Sequence, residues 1–253
     1  MPILSETSGD VVTIRFDHAA TRNGLDLETI PLLRDAIRDA AASAEARFLV
    51  LRGVKDWFCI GGSGEFMEYL LEQGLEERAR QTRAVQSIVL EWLRSPLLTV
   101  ALLDGLAAGA GADLVLASDL VLATDQARFS LLYARLGLVP DTGFRLLDRR
   151  LGWQAMLAFA ESRVLRAGEL VERGLAEAAG DLAEQDRLLP WLRRRFRHGR
   201  NAFAAAKGLR NHELLATIEE EFERAAWEQA RALDRPETRE RLAHSAATQR
   251  GAV

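Results

Sequence analysis

Hydrophobic and polar positions follow two rhythms along the first half of the chain. Val11-Val12-Thr13-Ile14-Arg15-Phe16 is rich in β-branched residues and alternates toward its end, which predicts a strand. A polar turn over residues 17–24 follows. Leu32, Leu33, Ala36 and Ile37 then recur at helical spacing and predict a helix over 27–42, with Asp26 as its N-cap. Residues 47–52 read as a second strand. This strand–helix–strand order predicts a largely parallel sheet covered by helices. Gly61, Gly62 and Gly64 fall within four positions and mark a close-approach loop. Helical patterns over 65–73 and 76–94 come next, and Pro96 separates them from a strand at 97–103. A second glycine-rich turn, 105–113, continues into a helix over 114–118, and 120–123 reads as another buried strand. From about residue 142 the pattern is almost all helical, with helices expected over 153–160, 167–173, 184–197, 202–209 and 213–233. The pattern divides into an α/β core over residues 1–199 and a helical region over 200–253.

Composition narrows the class. The chain has 253 residues, of which 48% are hydrophobic and 28% charged. That excludes a disordered, fibrous or membrane-embedded chain, and a chain this long needs no disulfide or metal staple. Lys plus Arg is 33 against 37 for Asp plus Glu, a net charge of −4, so general nucleic-acid binding is not expected. The single cysteine, Cys59, excludes a disulfide framework and a Cys-rich zinc site, and reads as a small core residue. His18, His198, His212 and His244 are scattered without metal-ligand spacing, so no metal is expected. The longest strongly apolar run, residues 97–103, falls far short of the roughly 20 residues a membrane span needs. No basic stretch precedes an apolar core at the start, so a cytoplasmic protein is expected.

Four segments resemble motifs of the crotonase (enoyl-CoA hydratase/isomerase) superfamily, in that family's order. Thr21-Arg22-Asn23-Gly24-Leu25 resembles its "RNAL" turn, and Phe58-Cys59-Ile60-Gly61-Gly62-Ser63 its "FCAGAD" segment. Gly105-Leu106-Ala107-Ala108-Gly109-Ala110-Gly111-Ala112-Asp113 resembles "GxAxGGGxE". Leu136-Gly137-Leu138-Val139-Pro140-Asp141-Thr142-Gly143 resembles the "LGLxPDxG" segment of isomerase-type members. The resemblance implies an α/β fold: a crotonase-like spiral of ββα units forming two near-perpendicular sheets, with a helical C-terminal region that drives trimerisation. It implies a homotrimer or a dimer of trimers, a coenzyme A thioester as substrate with no further cofactor, and a place in fatty acid metabolism.

The chemistry of the two glycine-rich turns fits that implication. An acyl-CoA reaction through an enolate places negative charge on the thioester oxygen, and two backbone N–H groups can stabilise it. Removing one such donor typically costs about 3–4 kcal/mol of barrier. Carried over by the resemblance, the donors are the N–H groups of Gly62 and Ala110, the second at an expected helix start. Ala110 stands where the family usually has glycine. The same carry-over makes Arg22, Asn23, Leu25, Ile60, Gly61 and Gly109 substrate or coenzyme A contacts. The family's two hydratase glutamates map onto Asp113, one methylene shorter, and Tyr133, which is no carboxylate. The isomerase-type base maps onto Asp141. Asp141 is therefore expected as proton shuttle, Asp113 as a second acid/base or water-orienting group, and Tyr133 as a hydrogen-bonding partner of substrate or of either aspartate. Phe144 replaces a further family glycine.

Bland readings stand beside these. Asp141 could cap a helix, Asp113 could be a first-turn acid favoured by the helix dipole, and Tyr133 could be a packed aromatic. Ser63 and Ser130 read as turn and strand hydroxyls. Two other functions share the fold: a decarboxylase or dehydratase acting on carrier-protein or coenzyme A thioesters in polyketide β-branching, and a non-catalytic RNA-binding relative. The basic cluster Arg193-Arg194-Arg195-Phe196-Arg197-His198-Gly199-Arg200 would serve the latter, or coenzyme A phosphates, or would be a solvated helix face.

Overall fold

The computed structural model describes residues 1–54, 56–142 and 144–250, with the side chains of 183, 185 and 245–250 excepted. Its elements, in chain order, are β1 (Ile3–Ser8), β2 (Val11–Phe16), α1 (Thr29–Ala42), β3 (Phe48–Arg52), β4 (Trp57–Cys59), α2 (Gly64–Glu72), α3 (Leu75–Arg94), β5 (Leu98–Leu103), β6 (Leu106–Ala108), α4 (Ala110–Ala117), β7 (Leu120–Ala123), β8 (Arg128–Ser130), α5 (Tyr133–Leu136), α6 (Phe144–Leu151), α7 (Ala155–Glu161), β9 (Leu165–Arg166), α8 (Ala167–Glu172), β10 (Glu177–Ala178), α9 (Gln185–Arg195), α10 (Arg200–Ala232) and α11 (Pro236–Arg250).

Each turn of the chain lays one strand in each of two sheets. β3, β5 and β7 enter a six-stranded sheet of order β1-β2-β3-β5-β7-β10. The strands that follow them, β4, β6 and β8, enter a second sheet of order β4-β6-β8-β9. Pairing is parallel except for β1 with β2 and β8 with β9. The repeating strand–strand–helix unit is the spiral the resemblance implies.

The central strands of the large sheet are buried on both faces, which is why they read as continuous apolar runs. Val12, Ile14, Phe16, Leu49, Leu51, Ala101 and Leu103 face the main core. Val11, Phe48, Val50, Val100 and Leu102 face the other way, under Leu188, Leu189 and Leu192 of α9. The cluster at 193–200 fastens this cover. Arg193 donates to Asp10 and to the Ser8 carbonyl, Arg195 pairs with Glu177, and Arg200 donates to the carbonyls of Ala46 and Ala41.

Several expectations are corrected. The helices expected over 202–209 and 213–233 are one, α10, running unbroken through Gly208. Two-residue strands β9 and β10 interrupt the stretch expected to be all helical, and β1 precedes the first expected strand. The helix expected from 27 begins at Thr29, yet Asp26 still caps it: its Oδ1 accepts from the Glu28 and Thr29 amides at 3.0 and 2.7 Å.

Helix α10 lies across α3 rather than standing away from the core. Asn211 donates to the Leu93 carbonyl at 3.2 Å, and Lys207 sits buried against Asp119 at 2.6 Å. No helix among the described residues is long and apolar enough to cross a membrane.

Candidate active site

Three chain segments meet where β4 and β6 end. Leu25 donates its N–H to the Gly61 carbonyl at 2.7 Å and accepts from the Ser63 N–H at 2.8 Å. This parallel bridge turns the intervening Gly62 amide away from Leu25. The 60–62 turn packs backbone to backbone on the 109–111 turn. A Cβ on Gly61 would stand 3.0 Å from the Ala110 nitrogen, and one on Gly111 only 2.1 Å from the Cys59 carbonyl oxygen. Ala110 is the first residue of α4, so its N–H has no partner within the helix. Among the described residues, no turn or loop hydrogen bond uses the N–H of Gly62 or of Ala110. Two unoccupied amides thus belong to turns in direct contact, one of them at a helix N-terminus.

The other expected contacts divide by role. Asn23 is buried and holds two turns together: its Oδ1 accepts from the His18 amide at 3.0 Å, and its Nδ2 donates to the Trp57 carbonyl at 2.7 Å. Leu25 is buried, Gly109 precedes α4, and Ile60 is half-buried. Arg22, half-buried, stacks its guanidinium 5.0 Å from the Trp57 ring centre. Ser63 caps α2 by accepting from the Phe66 amide at 3.1 Å. Cys59 lies in the core and accepts from the Gly61 amide; burial pushes its thiol up to about 12, which keeps it protonated and non-nucleophilic.

One turn along α4 from Ala110 stands Asp113, whose amide bonds the Gly109 carbonyl at 3.1 Å. Its carboxyl is fully buried. Oδ2 accepts from the Tyr133 hydroxyl at 2.5 Å and from the Thr142 hydroxyl, while Oδ1 is buried with no hydrogen-bond partner. Burial raises this carboxyl to about 7, against the pull of both hydroxyls. Asp141, in the loop after α5, is buried as well, 8% exposed where Asp113 is 0%. Burial, and then the charge of Asp113, push Asp141 well above the usual carboxylate range. Burial and the two carboxyls likewise hold Tyr133 protonated, a donor rather than a base. All three expected catalytic side chains are therefore brought together.

The segment carrying Tyr133 and Asp141 is held from outside. Gln86 of α3 donates to the Asp141 carbonyl at 2.7 Å and to the Phe222 carbonyl at 2.8 Å. The Val139 amide donates to Gln229 of α10 at 3.0 Å, Thr238 of α11 donates to the Gly137 carbonyl at 3.1 Å, and Arg241 donates to the Ala134 carbonyl at 3.1 Å. Thr142, Gln86 and Gln229 were invisible to sequence reasoning, since their partners lie 29, 55 and 90 residues away. Gly143 lies outside the described residues. A cleft of about 430 Å³, lined by Asp56, Trp57, Asp125, Arg128 and Arg166, sits instead at the opposite, starting ends of β4 and β8 and contains none of these carboxyls. Among the described residues, no group of histidine, cysteine and carboxylate side chains is arranged to hold a metal.

A spiral of ββα turns, two adjoining glycine-rich turns and a pair of buried aspartates define a recognisable class. The family model for enoyl-CoA hydratase/isomerase matches residues 6–240. The chain belongs to this family, the crotonase superfamily. It is 32% identical over 181 residues, 70% of each chain, to YhaR of Bacillus subtilis, itself only provisionally named an enoyl-CoA hydratase/isomerase. Among solved structures, it resembles an enoyl-CoA hydratase from Bacillus halodurans with a TM-score of 0.89 at 26% identity, covering 96% of this chain and 100% of that one. An enoyl-CoA hydratase from Mycobacterium avium subsp. paratuberculosis gives a TM-score of 0.82 at 26% identity, covering 99% and 96%.

Proposed function

We propose that this chain acts on an enoyl-coenzyme A thioester and shifts its double bond, with Asp141 as the proton shuttle. The observation that carries this reading is the pair of buried, interacting carboxyls: Asp113, one helical turn beyond Ala110 in α4, and Asp141, which feels its charge.

The ionised Asp141 carboxylate takes a proton from one end of the substrate's three-carbon unit. The C–H bonding pair moves into the π system, and the thioester oxygen becomes anionic. The Gly62 and Ala110 N–H groups hold that oxygen. The same proton then returns to the carbon at the other end, so no atom is gained or lost and Asp141 is regenerated. A base of raised pKa suits this step, because it binds the proton more strongly than an ordinary carboxylate does.

Hydration through two carboxylates is less well served. Tyr133 stands at the second position, stays protonated, and points its hydroxyl at Asp113. A decarboxylating enzyme would need the oxyanion donors but not two coupled carboxyls. An RNA-binding role would need free cations at 193–200, where Arg193, Arg195 and Arg200 are engaged within the fold. Coenzyme A contacts from Arg22 and a homotrimeric assembly complete the proposal.

The test is a panel of 2-enoyl and 3-enoyl thioesters, on coenzyme A and on carrier protein, with wild-type protein and Asp141→Ala. The wild type is expected to interconvert the coenzyme A esters. Asp141→Ala is expected to lose at least about 100-fold in kcat. Full activity in that variant would remove Asp141 from the mechanism.

A further inference from the structure

The Asp113 carboxyl is held by one oxygen only. Oδ2 takes both hydroxyls, those of Tyr133 and Thr142, which themselves approach to 3.4 Å, and Oδ1 has none. Thr142 is fully buried and directly follows Asp141, whose carbonyl Gln86 grips. One residue thus bonds the first carboxyl through its side chain and adjoins the second through the backbone. We propose that Thr142 is a positioning residue that fixes the Asp113 carboxyl by Oδ2, leaves Oδ1 to take up the proton, and so sets the charge that Asp141 faces.

The argument is electrostatic. A buried carboxylate is destabilised by its lost hydration, and each hydroxyl donating to it favours the ionised form. Removing the Thr142 hydroxyl removes one of two such donors, so Asp113 keeps its proton to higher pH. A neutral Asp113 no longer repels charge on Asp141, which then ionises at lower pH. The titratable groups that act in this cluster are Tyr133 from α5, Asp141 from the loop, and Cys59, facing Asp113 from β4. The arginines of α6, Arg149 and Arg150, act instead with Arg145, Arg210 and Asp119. Among the described residues no cation acts on either carboxyl.

The catalytic consequence rests on the reading proposed above, but the first test does not. Carbon-13 labelling of aspartate carboxyls follows the titration of Asp113 directly by NMR, whether or not any thioester turns over. Thr142→Val keeps the shape and deletes the hydroxyl; Thr142→Ala provides a second hydroxyl-free variant if the valine protein does not fold. In either, the Asp113 midpoint is expected to rise by about one pH unit or more, as for a lost hydrogen bond to a charged group. Thr142→Ser is expected to restore it. A midpoint unmoved in the hydroxyl-free variant overturns the proposal. In the active enzyme, the acid limb of kcat/KM is expected to move to lower pH in Thr142→Val, with no further movement when Asp113→Asn is added. Independent, additive shifts would also overturn it, while leaving the role of Asp141 standing.

Discussion

Gly61 and Gly111 show how much of the site rests on the absence of a side chain. Gly61 has φ of +81°, and its Cβ would press against the Ala110 nitrogen at 3.0 Å. At Gly111 a Cβ would lie 2.1 Å from a backbone oxygen, a neighbour that no rotamer change can move. Gly111→Ala is expected to lose more than the roughly 1–3 kcal/mol usual for overpacking, measured by chemical denaturation, because the two turns must part. Wild-type stability in that variant would mean the turns are not in contact. At this scale the sequence was partly legible. Closely spaced glycines announce backbone approach whatever their partner, and the carboxyls at 113 and 141 stood out by alignment with family motifs. Thr142 did not, because a hydroxyl carries no periodic signature and its meaning depends on a carboxyl in another element.

Among the elements, the central strands of the large sheet, β2, β3, β5 and β7, were legible because burial on both faces leaves few polar positions to blur them. Helix α10 was misread at its middle. Arg210, Asn211 and His212 read as a break, yet the buried positions Lys207, Asn211, Leu214, Ile218, Phe222 and Ala226 form one unbroken stripe in steps of three and four. Two polar members of that stripe are buried because each finds a partner, which residue type alone does not reveal. Lys207 binds Asp119, the Leu97 carbonyl and the Thr99 hydroxyl. Its side chain is 4% exposed, and that of Asp119 is 7%. Asp119→Ala would leave the ammonium buried without its carboxylate. It is expected to destabilise the protein by about 3–5 kcal/mol in urea unfolding, the range for breaking a buried pair. Strands β9 and β10, two residues each, are too short to show any period and exist only through their neighbours.

For the molecule as a whole, the buried acid pair ties stability to pH in an unusual sense. Asp113 rises from 3.8 to about 7 on folding. Between those values the folded chain holds a proton that the unfolded chain has released, so stability falls as pH rises. The contribution is complete at and below the unfolded value and is lost as pH passes about 7. Asp141 adds to the same trend. Asp113→Asn is expected to flatten this slope and to be more stable than wild type at pH 8, by on the order of a few kcal/mol, but not at pH 4. Parallel stability curves for the two proteins would contradict the burial of an ionisable group at 113.

The fastening of residues 133–142 by Gln229, Thr238 and Arg241 also has a temporal side. A ribosome delivers the acids long before it delivers α10 and α11, so the nascent spiral emerges with its chemistry present but unsecured. Competence then arrives late in translation, when the final helices swing back over a core already laid down.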